Sequence, residues 1–260
     1  MNGPQVLVLA KKPEPGRVKT RLCPPCTPEQ AARVAAAALA DTLATVTTAT
    51  AGARVLVVDG DYPAPPGWTA LAQRGGPLGD RLAAAFADTR AAGTAALLIG
   101  MDTPQLTVGQ LDSAVRLLGA SDGPDAVFGP ADDGGWWTLG LRDPGHAEVL
   151  RTIPTSVADT GRLTLAALRR RGLRVHLLPR LRDVDTAADA HAVAAECPAS
   201  SRFAAAVAAH VPTAAAAAHV PTATAAAHVP TATMAAAPVA AIVPTVAVAA
   251  GVPSPTAVAR

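Results

Sequence analysis

Residues 5–22 read QVLVLAKKPEPGRVKTRL, and two textures meet in them. After Gln5 the chain is apolar to Ala10, the composition of a strand covered on both faces. From Lys11 to Arg21 it carries five cations in eleven residues, stiffened by Pro13 and Pro15 and turned by Gly16. A buried strand that opens into a stiff cationic loop suits polyphosphate binding, because several positive charges converge on one anion. The loop has neither the Walker pattern nor Gly-x-Gly-x-x-Gly, which disfavours the P-loop and dinucleotide-binding folds.

Working outward, comparable strand-like runs recur at 54–58, 95–99, 125–128, 136–141 and 173–178. Helices with readable starts lie between them. Thr27-Pro28-Glu29-Gln30 is a capping box with proline at the first helical position, and Thr107-Val108-Gly109-Gln110 repeats its logic. Leu111, Val115 and Leu118 continue the second as an apolar stripe, and Leu78, Leu82 and Phe86 mark a further helix. Thr160 is expected to cap a helix carrying Leu163 and Leu168, and Thr186 with Asp189 to cap another. This alternation predicts a three-layer α/β domain on a mostly parallel sheet. Ligands of such sheets bind beyond the carboxyl ends of strands, so the loops after Leu9, Ile99 and Leu178 are the candidates.

Composition divides the chain at residue 203. All 20 acidic residues, all seven aromatics and 21 of the 22 Lys and Arg precede residue 204. Residues 1–203 are expected to form the functional domain, and 204–260 a disordered Ala/Pro/Val/Thr-rich tail. His-Val-Pro-Thr recurs in the tail at 210–213, 219–222 and 228–231, a nine-residue period. That is far shorter than the ~20 residues of a solenoid repeat and supplies nothing large to bury. A net charge of +2 with mixed signs gives no footprint for nucleic acid. Three cysteines fit a reducing compartment better than a disulfide scaffold. The apolar run at 6–10 ends in Lys11-Lys12 and is too short for a secretory signal. Pro238, Pro244 and Pro253 cut the tail below the ~18 residues of a membrane span. The chain reads as a soluble cytoplasmic protein, with neither nucleic acid nor membrane as partner.

Three further loops carry candidate chemistry. Asp102, in Gly100-Met101-Asp102-Thr103-Pro104, directly follows a buried run; it suits Mg²⁺, which takes one or two carboxylates plus phosphates, or else a cap or Asx turn. In Asp183-Val184-Asp185-Thr186 the alternation aims both carboxylates one way, so one could be a second metal ligand; a helix-capping cluster is the other reading. In Asp132-Asp133-Gly134-Gly135-Trp136-Trp137 the glycines permit close approach of a ligand. Successive tryptophans take opposite sheet faces, one in the core and one bordering the pocket. Cys23-Pro24-Pro25-Cys26 has the spacing of a redox motif, but no second pair completes a zinc site, and both cysteines are read as structural bystanders. Cys197 has no partner that the sequence identifies.

The succession Lys19-Thr-Arg-Leu22, Gly76-Pro-Leu-Gly-Asp-Arg-Leu82, Leu98-Ile-Gly-Met-Asp-Thr-Pro-Gln-Leu106, Gly129-Pro-Ala-Asp-Asp-Gly-Gly135 and Asp183-Val-Asp-Thr186 resembles a bacterial family. These are the glycosyltransferase-A-like transferases related to the lactate-phosphate guanylyltransferase of deazaflavin-cofactor synthesis, within the nucleotide-diphospho-sugar transferase superfamily. The resemblance spans roughly residues 5–195, and the tail has no counterpart. It implies a Rossmann-like fold that binds a nucleoside triphosphate or nucleotide sugar with Mg²⁺ (or Mn²⁺). By it, Lys11, Lys19 and Arg21 contact phosphates, Pro77, Leu78 and Gly79 lie against base and ribose, and Ala10 and Gly100 join the nucleotide site. Asp102 and Asp185 hold the metal, while Asp133, Gly134 and Gly135 face a small-molecule acceptor. Lys19, Arg21 and Asp133 are the catalytic candidates. One departure is that Lys-Pro-Glu-Pro-Gly-Arg replaces the Gly-Gly-x-Gly-x-Arg loop of many sugar nucleotidyltransferases. The implied activity is nucleotidyl transfer, guanylyltransferase-like, to a small phosphorylated acceptor. Glycosyl transfer from a nucleotide sugar is the alternative, and a catalytically inactive nucleotide-binding module the third reading.

Overall fold

A computed structural model describes residues 3–213. Seven strands form one sheet in the order β3-β2-β1-β4-β6-β5-β7. They are β1 (Gln5–Lys11), β2 (Arg54–Asp59), β3 (Thr69–Ala72), β4 (Ala96–Gly100), β5 (Ala126–Pro130), β6 (Trp136–Leu141) and β7 (Val175–Leu177). Only β6 runs against the rest, antiparallel to both β4 and β5. The predicted α/β class with a mostly parallel sheet is what the chain adopts. β3 was not foreseen: it is a short edge strand of mostly exposed residues, TALA, without the apolar run of an inner strand.

Alternation along the strands sorts the core into two layers. Val6, Val8, Leu56, Leu97 and Ile99 pack under α1 (Pro28–Thr48) and α3 (Val108–Gly119). Leu7, Val55, Val57 and Leu98 pack on the other face under α2 (Leu78–Asp88), a 3₁₀ segment Pro144–Thr152 and α4 (Thr160–Arg170). The two layers of the sheet are thus completed by helices on both sides, the three-layer arrangement the sequence implies. A third cluster lies on the far side of α1, where α5 (Ala187–Glu196) and α6 (Arg202–His210) bury Phe203, Val207 and Val211.

The capping boxes predicted at Thr27, Thr107 and Thr186 all form. Thr160 does not cap: it is the first residue of α4, and its hydroxyl donates to the Pro154 carbonyl while accepting from Val157 N–H. The division at residue 203 falls inside α6. Asp41 fixes that helix by accepting from Ser201 Oγ at 2.7 Å and from Phe203 N–H at 2.9 Å. The ordered domain therefore continues past residue 203 to at least Val211. The rest of the tail expectation concerns residues 214–260, which lie outside the described residues.

Candidate functional site

β1 has β2 on one side and β4 on the other, so connections leave the sheet in opposite directions there. Such a switch point opens a crevice at the carboxyl ends of the strands. A cavity of about 670 Å³ occupies it. Its centre is lined by Ala10, Lys11, Lys19 and Arg21 from the loop after β1, and by Gly100 and Asp102 after β4. One end is formed by Gln73, Gly76, Leu78 and Arg81 around the start of α2. Asp133, Gly135, Trp136 and residues 155–157 form the other, and Asp183 and Asp185 also line it.

The resemblance gives Lys19 a phosphate contact, and in the structure Lys19 is paired with carboxylates. Its side chain is only 7% exposed, and its Nζ lies 2.5 Å from Asp102 Oδ1 and 4.0 Å from Asp185 Oδ1. It also donates to the Val184 carbonyl. The residue adopts a left-handed backbone, φ 49°, which β-carbons disfavour. Asp102 and Asp185, 83 positions apart in sequence, thus meet on one ammonium. Arg21 stands outside them, exposed, its guanidinium 3.1 Å from Asp185 Oδ2. Lys11 is exposed at the cavity's centre.

The capping readings of both carboxylates fall away. Thr107 caps α3, and Thr186 with Asp189 caps α5, leaving Asp102 and Asp185 in the crevice. Asp183 joins them. Its carboxyl is pushed up to about 8, first by burial and then by the charges of Asp102 and Asp133; Lys19 pulls it down and Asp185 adds a last push. Near neutral pH Asp183 therefore holds a proton, while Asp102 and Asp185 are paired with Lys19 and Arg21. Beside Asp102 the Thr103 hydroxyl is buried with no hydrogen-bond partner. These oxygen donors fit a hard divalent cation. Among the described residues no three His, Cys, Asp or Glu are grouped to hold an ion unaided, so phosphate oxygens would have to complete its shell.

Three of the expected contact residues are not in the cavity lining. Gly79 is buried under the 3₁₀ segment, where a β-carbon would come within 2.3 Å of the Leu150 carbonyl. Pro77 precedes α2 as its N-cap without lining the cavity. Gly134 serves the backbone rather than a ligand: at φ 89°, its β-carbon would stand 1.9 Å from the Ala158 carbonyl. Gly161 N–H donates to the Gly134 carbonyl at 2.8 Å, and a β-carbon on Gly161 would meet the Gly135 carbonyl at 2.5 Å. The glycine pair therefore lets residues 155–161 lie directly on this turn. Gly135 keeps its place in the lining, and Asp133 Oδ1 accepts from its N–H at 2.8 Å.

The two tryptophans take opposite faces as expected. Trp137 is buried and donates to the Pro179 carbonyl, whereas Trp136 is half-buried and tilts against Phe128 with ring centroids 6.3 Å apart. A register shift at Gly129/Pro130 opposite them places Trp136 on the same side as Leu139 and Leu141. Cys26 is buried in the third cluster, and burial pushes its thiol up, as it does that of Cys197. Raised thiols are poor nucleophiles, in keeping with a packing role.

A family model described as an uncharacterized protein conserved in bacteria, DUF2064, matches residues 30–157. The DUF2064 segment contains Leu78, Asp102, Asp133, Trp136 and Val157, while Lys11, Lys19, Arg21 and Asp185 come from the chain on either side of it. A candidate nucleotide-diphospho-sugar transferase from Desulfovibrio desulfuricans G20 superposes with a TM-score of 0.70 at 28% identity, covering 80% of this chain and 97% of that one. Two structures of one protein from Mycobacterium tuberculosis H37Rv, one of them a manganese complex, have TM-scores of 0.48 at 20% and 19% identity. Each covers 74% of this chain, and they are themselves covered over 98% and 97%. No curated protein matches the chain. The fold is that of the nucleotide-diphospho-sugar transferase superfamily, as the sequence resemblance implies. No helix among the described residues is long and apolar enough to cross a membrane.

Proposed function

We propose that the protein is a divalent-metal-dependent transferase that uses a nucleoside triphosphate and moves the nucleotidyl group to a small phosphorylated acceptor. The observation that carries this reading is the meeting of Lys11, Lys19 and Arg21 with Asp102, Asp183 and Asp185 at one switch point. Cations alone would suit a free anion; cations interleaved with carboxylates suit a metal-bound polyphosphate. The likeness to the Desulfovibrio protein supports a nucleotide-using transferase in general.

On this reading Asp102 and Asp185 would hold Mg²⁺ or Mn²⁺, which would supply charge neutralisation for the phosphates. Lys19 keeps the two carboxylates together and offers its ammonium to the polyphosphate beside them. Lys11 and Arg21 hold the outer phosphates, the backbone at Ala10 and Gly100 lies along the nucleotide, and Leu78 packs against the base. An acceptor phosphate oxygen attacks the α-phosphorus from the Asp133 end, forming a new P–O–P link and breaking the α–β bond, with pyrophosphate leaving. Such a reaction needs positioning and charge stabilisation rather than a protein nucleophile.

The test is product analysis. The full chain with Mg²⁺ is incubated with each common nucleoside triphosphate and a panel of small phosphate monoesters. Acceptor-dependent pyrophosphate release is expected. Release of a nucleoside diphosphate from nucleotide sugars instead would place the reaction among glycosyl transfers, and tight nucleotide binding without product would make the chain a binding module.

A further inference from the structure

Three large hydrophobic side chains are exposed among the described residues, and two of them, Leu78 and Val157, line the same cavity. They come from different elements. Leu78 starts α2 on the β2 side, where the reading above puts the base. Val157, 48% exposed, comes after β6 in the chain and shares the cavity lining with the half-buried Trp136. Covering such groups gains roughly 25 cal/mol per Å², so a ligand with an apolar body would gain affinity by lying against Val157.

The segment around Val157 is held firmly. Ser156 has φ 61°, and it and Lys19 are the two non-glycine residues with left-handed backbone among the described residues; both line the cavity. Strain of this kind persists only where the surroundings fix it. Here they do, through the contact of Gly134 with Ala158, the Gly161–Gly134 hydrogen bond and the Thr160 hydroxyl bonded to the Pro154 carbonyl and Val157 N–H.

We infer that Trp136 and Val157 form an apolar subsite for the acceptor, and that the acceptor is a phosphate ester with a hydrocarbon body rather than a sugar phosphate. The inference rests on the reading of the cavity's centre as the phosphate site. It adds the chemistry of what lies beyond that centre. The acceptor's phosphate meets the cations and metal, and its apolar end is covered by the tryptophan ring and the valine.

Methyl, butyl and hexyl phosphate, with glucose 1-phosphate as comparator, test this by calorimetric titration of the full chain and of Val157→Ser and Leu78→Ser. Both substitutions fall on exposed side chains and spare the fold. Burial of a methylene gains about 0.8 kcal/mol, which sets a ceiling of about fourfold in affinity per carbon. A rise of about two- to fourfold per methylene is expected in the wild type and in Leu78→Ser, reduced by half or more in Val157→Ser. An affinity independent of chain length overturns the inference. So does a rise lost in Leu78→Ser but kept in Val157→Ser, or glucose 1-phosphate binding more tightly than hexyl phosphate. Hexyl phosphate binding without methyl phosphate would support the apolar wall while counting against the central anion site. Failure of the whole series to bind would overturn both.

Discussion

At the centre of the cavity side chains make the site: Lys19 reaches in from one loop, Asp102 from a second and Asp185 from a third, meeting within 4.0 Å of one nitrogen. At the wall beyond β6 the backbone makes it: Gly134 and Gly161 allow two loops to approach where any β-carbon would collide. Charged groups on separate loops can be exchanged for neutral isosteres with little change in packing. A backbone contact cannot be altered without moving the loops themselves. Damage at the centre should therefore appear in chemistry, and damage at the wall in stability.

The largest effect is expected from Asp102→Asn and Asp185→Asn. Each should lower metal-dependent turnover about 10²–10³-fold, with the double variant little worse, because ligands of one ion act as a unit. Melting temperatures should stay near that of the wild type. Titrating turnover with Mg²⁺ decides it, and near-normal activity in either single variant would remove that residue from the metal site. Gly134→Ala should do the reverse. A left-handed alanine pressed on the Ala158 carbonyl should cost about 2–5 kcal/mol in denaturant unfolding. A loss below about 0.5 kcal/mol would show that the wall is not tied down by this contact.

Asp183 sharpens the comparison from the charged side. Its carboxyl is raised to about 8 in the folded chain, above the ordinary carboxyl value of 3.8, so the folded state holds a proton that the unfolded state has released. Its contribution is complete below the ordinary value and is lost as pH rises through 8. Between those limits metal-free protein should lose up to about 1.4 kcal/mol of stability per pH unit from this group. Asp183→Asn should flatten that slope, which melting curves in chelator from pH 5 to 8.5 would show. A smaller change is expected of Arg21→Ala. The side chain is exposed and already paired, so nucleotide affinity should fall about tenfold with no change in melting temperature. An unchanged affinity would remove Arg21 from the phosphate site.

The centre was legible in sequence because its signals are local. A cationic loop after an apolar run, and an acid directly after another, state both residue type and position on the sheet. What Lys19 pairs with was not legible, since its partners come from two other loops. The wall was misread for a similar reason. Gly134-Gly135 announces a close approach but not what approaches, and a ligand was inferred where Ala158 and Gly161 arrive. Leu22, Cys26 and the alanines of α1 gave no hint that a second helical layer covers them. α6 was lost in the alanine-rich composition that follows it, although Ser201, whose Oγ accepts from Ala204 N–H at 3.0 Å, is an ordinary helix-starting signal.

Val184 stands between Asp183 and Asp185 and belongs to neither loop chemistry nor cavity. Its side chain is buried with Phe203 and Val207, its N–H donates to the Asp102 carbonyl at 3.0 Å, and its own carbonyl takes the Lys19 ammonium. The docking of the C-terminal helices and the spacing of the carboxylates are therefore thermodynamically linked, and such coupling is reciprocal. A ligand that fixes Asp102 and Asp185 makes α6 harder to peel away, and loosening α6 weakens the ligand by the same factor. Amide hydrogen exchange at Val207 and Val211, on the opposite side of α1 from the sheet, should slow when the crevice fills.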